Sequence, residues 1–362
     1  MKTEILLPYI PNFEDSLAWI LRSIACNGGD GSSAYYHLWK GWSGPYPETT
    51  GYIIPTLFAA SPYVSDKNLQ STALKLADWL LSLQRSDGSF PQGLEMGEKS
   101  EIFDSGQILF GLLSAFHNTN EEKYKTAFIL LIDWMISNQT PDGAFSMTTY
   151  VAQYCPSYHV RFVWALVLSL EIYPAKQQLS NVIHKALQYY SSLILENAGI
   201  KNWGFHPHEP GLTHTIAYTL RGFIECGILL KEKKFVDLVI PTINKIENDL
   251  DEHKFLAGEY DTDWKGNYSF RCLTGEAQLS IIYRRLYKLY NDEKYERVAD
   301  KLLLQISTKQ NRFPYLKNMK GGFFASAPFY GKYMRFRMNN WTCKFYIDAL
   351  LLSLNPDMDL FG

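Results

Sequence analysis

The 362-residue sequence predicts an all-α fold, an (α/α)6 toroid in which six helical hairpins close into a ring. Three observations lead to this prediction. The sequence repeats itself at a distance of 55 residues, amphipathic helical segments alternate with wholly apolar ones, and the terminal segments are as apolar as the central ones. An open array of repeats needs polar units at its ends, whereas a closed ring buries both ends. We therefore expect residues 1–362 to form a single toroid domain.

The repeat is clearest where an amphipathic segment ends. Residues 78–90 match residues 133–145 without a gap, and both stretches contain the pattern Gln-x-x-Asp-Gly-x-Phe. A second pattern, Asn-x-Glu-Lys-Tyr, occurs at 120–124 and again at 291–295, which is close to three periods later. Glycine after a helical run ends the helix because it adopts a positive φ without steric cost. Each repeat is therefore predicted to contain a helix that stops at an Asp-Gly turn.

Each repeat supplies two helices of different character. In chain order, the amphipathic helices are predicted at 13–25, 69–83, 124–137, 179–195, 235–250 and 295–306. The apolar helices are predicted at 51–60, 106–116, 160–170, 216–230, 277–290 and 341–354. Because a helix that is apolar on all faces must be buried, the second set should form an inner ring and the first set an outer ring around it.

Composition excludes several classes of protein. The 35 basic and 37 acidic residues give a net charge of -2, which provides no general attraction to nucleic acid. No stretch approaches the roughly 18 apolar residues of a membrane span, and the N-terminus lacks the apolar core of a signal peptide. The five cysteines are scattered singly, without zinc-finger spacing. We expect a cytoplasmic protein without metal or cofactor, and no pattern indicates its oligomeric state.

Polar residues occur at matched positions at the start of successive apolar helices. Thr49, Asp104, His159 and His214 stand at intervals of 55 residues, and Glu276 begins the fifth apolar helix. Since the inner helices of a ring start at one end, we expect these side chains to surround one opening. Asp104, His159, His214 and Glu276 are candidate catalytic residues. The alternative is that Asp104 and the threonines only cap their helices.

Three further side chains near this opening complete the chemistry that we expect. Tyr158 and Tyr218 are candidate acids that would act opposite a histidine base. Arg161 lies within the otherwise apolar run 160–164, and an unpaired buried guanidinium is costly. It therefore needs either an anionic ligand, such as a substrate carboxylate, or an acidic partner. A structural ion pair between Arg161 and Glu276 is the alternative to a binding role.

Loops at the same end combine aromatic and acidic residues. Aromatic rings bury one face while offering a polar group, so such loops are typical of sugar-binding clefts. The candidate substrate-binding residues, besides Arg161, are Trp42, Glu48, Trp203, Asp261, Asp263, Trp264 and Trp341. The expected partner is a small saccharide or a polysaccharide.

The paired-helix repeat resembles the six-hairpin toroid enzymes, which include unsaturated glucuronyl hydrolases, sugar epimerases and polysaccharide lyases. This resemblance implies a carbohydrate-active enzyme that acts on an acidic, uronic-acid-type saccharide, for example in surface-polysaccharide metabolism. Lyase or epimerase chemistry would use His159 or His214 as the base. Hydrolysis would instead use Asp104 with Glu276 or Asp263 as a carboxylate pair.

A second resemblance leads to a different function. The repeated Gln-x-x-Asp-Gly-x-Phe pattern is similar to a structural repeat of terpene cyclases and protein prenyltransferases, which share the toroid. This resemblance implies Asp261 and Asp263 as acids or magnesium ligands beside an aromatic cavity, although the Asp-x-Asp-Asp pattern of the cyclases is interrupted here by Trp264. The third possibility is a noncatalytic toroid that only binds a partner.

Overall fold

The computed structural model describes residues 10–64, 68–358 and 361–362 of the chain. The N-terminal stretch 1–9, where the sequence predicts no signal peptide, lies outside the described residues. The outer helices are α1 (Ile10–Ala25), α3 (Leu69–Leu83), α5 (Glu122–Ser137), α7 (Lys176–Ser191), α9 (Lys233–His253) and α11 (Glu293–Ser307). The inner helices are α2 (Pro47–Ala60), α4 (Ile102–Thr119), α6 (Val160–Leu168), α8 (Thr213–Leu229), α10 (Leu273–Tyr290) and α12 (Asn340–Leu354).

The inner helices form a closed ring. Each one packs against the next in the order α2, α4, α6, α8, α10 and α12, and α12 packs against α2. The burial of the two sets differs as their sequence periodicity predicts. Every residue of α4 from Ile102 to Ala115 is buried, whereas the outer helix α11 buries only one face. The predicted all-α toroid is therefore confirmed.

Short antiparallel strands lie in the loops that lead into the inner helices. Strand β1 (Tyr35–His37) pairs with both β2 (Gly41–Trp42) and β7 (Arg337–Asn339), with Tyr36 opposite Trp42 and Met338. This sheet joins the loop before α2 to the loop before α12, so it closes the ring a second time. The other strands form two pairs, β3 (Gly211–Leu212) with β4 (Glu259–Tyr260) and β5 (Arg271–Cys272) with β6 (Ser326–Ala327).

The repeated Gln-x-x-Asp-Gly-x-Phe pattern ties neighbouring outer helices together. The Gln84 side-chain amide donates to the Gly88 carbonyl at 3.0 Å and to the Ala127 carbonyl of α5 at 2.8 Å. Gln139 donates in the same way to Gly143 at 3.2 Å and to Val182 of α7 at 2.8 Å. One amide therefore holds the turn that ends its own helix and also a carbonyl of the next outer helix.

Replacing Gln139 with alanine is expected to lower the free energy of unfolding by about 1 to 2 kcal/mol, because two hydrogen bonds to the backbone are lost. Chemical denaturation followed by circular dichroism measures this change. Gln188→Ala is the matched control, since Gln188 is exposed on α7 and its side chain has no hydrogen bond to the described residues. Equal stability of the two variants would contradict a role for the amide.

Five of the six inner helices start earlier than the sequence predicts, most clearly α2, α4 and α10, whereas α6 starts at Val160 as predicted. The predicted starts at residues 51, 106 and 277 leave out the polar first residues of these helices, but a first turn accepts polar side chains because its N–H groups lack helical partners. Asp104 is thus the third residue of α4 and does not cap it. The Glu101 carboxylate caps the helix by accepting from the Asp104 backbone N–H at 2.7 Å, so the alternative of Asp104 as a cap is wrong.

No helix of the described residues is long and apolar enough to cross a membrane. The five cysteines, all within the described ranges, are free thiols, and four of them are buried.

Candidate active site

The N-terminal parts of α2, α4, α8 and α12, with the turn before α6 and nearby loops, line a cavity of about 260 Å³, which we call the axial cavity. Nine aromatic side chains line it together with two carboxyl groups, one imidazole and one methionine. They are Tyr46, Tyr52, Phe103, Tyr150, Tyr158, Phe205, Tyr218, Tyr333, Trp341, Glu48, Asp104, His214 and Met334. The cavity therefore contains six of the predicted site residues: Glu48, Asp104, Tyr158, His214, Tyr218 and Trp341.

Glu48 of α2 and Asp104 of α4 form a carboxyl pair in this cavity. Each carboxyl group shifts the pKa of the other, and the two residues are 9% and 1% exposed. Asp104 also accepts a hydrogen bond from the Tyr150 hydroxyl at 2.6 Å and from the Gly93 backbone N–H at 2.8 Å. The Tyr46 hydroxyl donates to its other oxygen at 3.3 Å. Asp104 is thus held by donors that favour its ionised form.

Burial raises the pKa of both acids. Burial raises the pKa of Asp104 to about 6, and the donors from Tyr150, Gly93 and Tyr46 limit this rise. Burial and the neighbouring Asp104 charge raise the pKa of Glu48 well above its usual value. The two carboxyl groups therefore titrate as a pair, and both shifts favour a state in which the pair keeps a proton. Such a pair can give a proton at one carboxyl group and accept one at the other.

The carboxyl pair forms because α2 and α4 approach each other closely. A Cβ atom added to Gly51 would lie 2.5 Å from the Ile108 Cα, and one added to Gly111 would lie 2.5 Å from the Gly51 carbonyl oxygen. No side chain fits at either position, so the two backbones are in contact. Gly51 is three residues after Glu48, and this contact therefore sets the separation of Glu48 from Asp104.

The two predicted histidines have different surroundings. His214 lines the axial cavity, with its Nδ1 2.7 Å from the Gln278 amide and its ring 4.3 Å from the Tyr218 ring. His159 does not line the cavity: it is buried in the 3-10 turn before α6 and stacks on Phe103 at 5.5 Å. Burial lowers the pKa of both imidazoles to about 3, so both are neutral and weakly basic.

The two tyrosines predicted as acids both line the cavity. Burial raises the pKa of Tyr158 and of Tyr218 above the usual value of a phenol. Their hydroxyl groups therefore stay neutral at physiological pH. They can donate hydrogen bonds to a bound ligand, but they are weak general acids.

Arg161 lies behind the wall of the axial cavity. Its Nε donates to Gln107 at 2.8 Å, while its two terminal nitrogens have no hydrogen-bond partner among the described residues. Five aromatic rings surround the guanidinium, and the ring of Tyr218 is the nearest at 4.4 Å. The other four rings belong to Tyr52, Phe110, Trp164 and Phe345. Cation–π contacts thus partly replace the anionic partner that the sequence led us to expect.

The alternative ion pair between Arg161 and Glu276 does not form. Glu276 is fully buried and pairs with Arg271, whose Nε donates to it at 2.7 Å. Arg271 is the residue before Cys272 on strand β5, so a neighbouring strand residue satisfies Glu276. This acid does not line the axial cavity.

The remaining predicted binding residues lie away from the axial cavity. Trp42 packs against Trp19, with ring centroids 5.0 Å apart. Trp203 and Asp261 line a separate cleft of about 690 Å³, which we call the lateral cleft. Trp264 packs on Trp203 at 5.7 Å, and Asp263 is exposed beside it. The lateral cleft is larger than the axial cavity, but Asp261 is engaged there by backbone N–H groups of its own turn.

The hydrogen bonds of Asp261 show whether this aspartate faces an aromatic cavity, as the terpene cyclase resemblance implies. One carboxylate oxygen of Asp261 accepts from the N–H groups of Asp263 and Lys265, at 3.0 and 2.9 Å. The two aspartates thus belong to a surface turn and do not face the aromatic-lined cavity. Within the described residues, no group of three or more His, Cys, Asp or Glu side chains could hold a metal ion.

Sequence reasoning missed several residues of the cavity. Tyr46, Phe103, Tyr150, Phe205 and Tyr333 line it but were not selected. Glu48 was selected as a binding residue, not as the partner of Asp104. It stands 56 residues before Asp104, one residue outside the period, so the repeat selects Thr49 instead. Thr49 is instead a structural residue that accepts a hydrogen bond from Asn340 at 2.9 Å.

Comparisons with known proteins show which fold this is. No protein-family profile and no curated protein sequence matches the chain.

Solved structures do match over nearly its whole length. An unsaturated glucuronyl hydrolase specific for heparin superposes with a TM-score of 0.76, 14% identity and coverage of 97% of this chain and 98% of that one. An unsaturated glucuronyl hydrolase from Streptococcus agalactiae gives 0.76 and 14%, with coverage of 100% and 94%. A sugar epimerase from a ruminal bacterium gives 0.72 and 10%, with coverage of 96% and 99%. These structures share the (α/α)6 toroid.

Proposed function

We propose that this chain is a carbohydrate-active hydrolase that acts on the uronic-acid end of an acidic saccharide in the axial cavity. The carboxyl pair of Glu48 and Asp104 carries this proposal, since it places a proton donor and a proton acceptor side by side in a buried, aromatic-lined site. The toroids that it resembles include hydrolases whose names describe action on unsaturated glucuronyl groups.

The carboxyl pair would transfer protons in one direction during each turnover. Glu48 donates its proton to the substrate, either at the glycosidic oxygen or at the double bond of an unsaturated uronate. Asp104 accepts a proton from the attacking water, whose oxygen adds to the sugar. The pair thus starts and ends with one proton.

The size and lining of the cavity suit a single sugar ring. Its volume of about 260 Å³ is below the roughly 300–1,000 Å³ of sites for drug-sized ligands. Aromatic side chains such as Tyr158, Tyr218 and Trp341 offer faces for the C–H groups of a pyranose. The remainder of an oligosaccharide would then extend out of the mouth of the ring.

Arg161 supports an anionic substrate. Its guanidinium is completely buried 4.4 Å from the Tyr218 ring, and no described carboxylate pairs with it. Its charge acts through a medium of low polarity, so it is weakly screened. A uronate carboxylate bound near Tyr218 would therefore be stabilised by Arg161 without direct contact.

The state of the histidines favours hydrolysis over lyase or epimerase chemistry. Those reactions require a base that removes a proton from carbon. Burial and the nearby Arg161 charge lower the pKa of His214 to about 3, which makes it a weak base. An efficient general base has a pKa near the working pH, and Asp104 with its pKa of about 6 meets that condition better.

Incubation with an unsaturated, uronate-terminated disaccharide tests the proposal. Hydrolysis of the unsaturated ring removes its conjugated double bond, so the ultraviolet absorbance falls while the free second sugar is released. A lyase acting on a saturated polysaccharide would instead raise this absorbance, and an epimerase would leave it unchanged. Either of those outcomes, with no turnover of the unsaturated disaccharide, would overturn the proposal.

The pH dependence of kcat/KM gives a further prediction. Activity should fall below pH about 6, because protonation of Asp104 leaves the pair without a base. It should fall again at high pH, where Glu48 loses the proton that it donates. Glu48→Gln is expected to lower kcat/KM by about two orders of magnitude and to abolish the alkaline limb. A variant that keeps both limbs would contradict this assignment.

A further inference from the structure

We infer that an exposed group of aromatic side chains beside the axial cavity binds the sugar units that follow the terminal one in an acidic oligosaccharide. This aromatic platform consists of Trp39, Phe329, Tyr330 and Phe336. The inference rests on the proposed function in one respect: it takes the saccharide to enter the axial cavity by its terminal unit. It adds a second binding site and a preference for longer substrates.

The platform is built from two loops that hold each other in place. Trp39 lies at the turn between β1 and β2, and its ring packs against Phe336 with centroids 4.7 Å apart. Phe336 packs in turn against Phe329 at 5.9 Å. Backbone hydrogen bonds fix this arrangement, from the Leu38 N–H to the Phe336 carbonyl at 3.0 Å and from the Phe336 N–H to the Phe329 carbonyl at 2.9 Å.

Three of the four platform rings are exposed, and Phe336 is half-buried. Trp39 is 69% exposed, Tyr330 is 56% exposed and Phe329 is 42% exposed. A cluster of large aromatic side chains that stays in contact with water costs free energy, which a bound ligand would recover. Since the two loops are tied together, the rings present a prearranged surface to that ligand.

The platform and the axial cavity share one loop. Tyr333 and Met334 line the cavity, and Phe336, two residues further on, belongs to the platform. Met334 and Phe336 both have a positive φ, of 46° and 63° respectively. Residues other than glycine adopt this backbone conformation at a cost in free energy, and such strained residues are concentrated at binding sites. Here it turns one side chain toward the cavity and the other toward the platform.

Positive charge surrounds the platform. Lys40, Arg335 and Arg337 lie in the same two loops, and none of them forms an ion pair with a carboxylate of the described residues. Arg337 lies over the Tyr35 ring at 5.0 Å. Partial burial and the charges of Arg337 and Lys40 lower the pKa of His37 between them. This side of the molecule is thus basic, although the whole chain carries a net charge of -2.

Aromatic rings beside unpaired cations match the chemistry of an acidic saccharide. The rings stack on the C–H faces of the sugars, and the cations pair with carboxylate or sulfate groups. A second copy of the chain fits less well, because apposed platforms would bring two sets of unpaired cations together. We therefore assign the platform to the saccharide and treat self-association as an outcome of the test.

The test compares substrates of different length. Unsaturated hyaluronan di-, tetra- and hexasaccharides are supplied to the wild type, to Trp39→Ala and to Arg335→Gln, and kcat/KM is measured for each. We expect Trp39→Ala to lower the preference for the hexasaccharide over the disaccharide about tenfold. Arg335→Gln should lower it less, with an effect that disappears at high salt. Tyr63→Ala is the matched control, an exposed aromatic at the opposite end of α2.

Binding measurements separate failure of this inference from failure of the proposed function. Calorimetry with the hexasaccharide and the Asp104→Asn variant, with and without Trp39→Ala, reports binding without turnover. Loss of binding on Trp39→Ala supports the platform even if no saccharide is hydrolysed. An unchanged length preference in an active enzyme overturns the inference and leaves the proposed function intact. A dimer in sedimentation that Trp39→Ala dissociates would assign the surface to self-association and also overturn it.

Discussion

Replacing Asp104 with asparagine is expected to lower kcat about a thousandfold, within the two to four orders of magnitude that a general base contributes. The amide keeps the shape of the side chain but cannot accept a proton from water. Steady-state kinetics with the unsaturated disaccharide measure the loss. KM should change little, since Asp104 is proposed to act in proton transfer and the aromatic lining of the cavity in binding.

Asp263→Asn is the control for this variant. Asp263 is an exposed acid of the loop after β4, outside the axial cavity, so its replacement should leave kcat within a factor of two. A similar loss in both variants would show that the effect is general. Full activity of Asp104→Asn would exclude Asp104 as the base.

The same substitution has a pH-dependent effect on stability. Burial raises the pKa of Asp104 from 3.8 to about 6, so the folded state prefers the neutral acid more than the unfolded state does. This contribution to stability is complete below pH about 4 and is lost as the pH rises through about 6. Wild-type Tm should therefore fall between pH 5 and pH 8 by more than the Tm of Asp104→Asn. Thermal melting curves at the two pH values provide the comparison.

Replacing Gly51 with alanine is expected to destabilise the protein by about 2 to 3 kcal/mol and to abolish most of its activity. The new methyl group would lie 2.5 Å from the Ile108 Cα and 2.8 Å from the Gln107 carbonyl oxygen. Since backbone atoms cannot move aside as a side chain can, α2 and α4 must separate. Glu48 then moves away from Asp104, and the shared proton is lost. Denaturation midpoints and kcat report the two effects.

Gly44→Ala is the matched control for this substitution. Gly44 lies in the loop before α2, and an added Cβ there meets no atom within 4 Å. It should therefore change neither stability nor activity. If Gly51→Ala behaves like this control, the close contact of α2 with α4 does not set the geometry of the carboxyl pair.

The fold could be predicted from the sequence because periodic burial determines it. All twelve predicted helices lie within or close to the helices of the described residues, and α3 has the predicted bounds, Leu69–Leu83. The Gln-x-x-Asp-Gly-x-Phe pattern also has a local cause, as the contacts of Gln84 and Gln139 show. Helix starts were less predictable, since a first turn tolerates the polar residues that also occur in loops.

The site could be predicted only in part, because its chemistry depends on contacts between repeats. The 55-residue period located Asp104 and His214, which both line the axial cavity. It also selected His159, which is equivalent in sequence but stacks on Phe103 behind the cavity wall. The period could not show that Arg271 neutralises Glu276, since this pairing depends on how strand β5 meets α10.

The function of Glu48 illustrates the same limit. Its sequence position is one residue outside the period, yet the close packing at Gly51 turns it toward Asp104. That packing is a property of two helices together and has no signature in either segment. The aromatic platform could not be predicted for the same reason. Trp39 and Phe336 are nearly 300 residues apart in the chain and meet only when the ring closes.

A crystal structure of Asp104→Asn with the unsaturated, uronate-terminated disaccharide shows whether the substrate binds at Glu48 and Asp104. We expect the unsaturated ring in the axial cavity, with its double bond or glycosidic oxygen within hydrogen-bonding distance of Glu48 and of the amide at position 104. We also expect the second sugar at the mouth, toward Trp39. A disaccharide bound in the lateral cleft at Trp203 and Glu259, with the axial cavity empty, would contradict hydrolysis by Glu48 and Asp104.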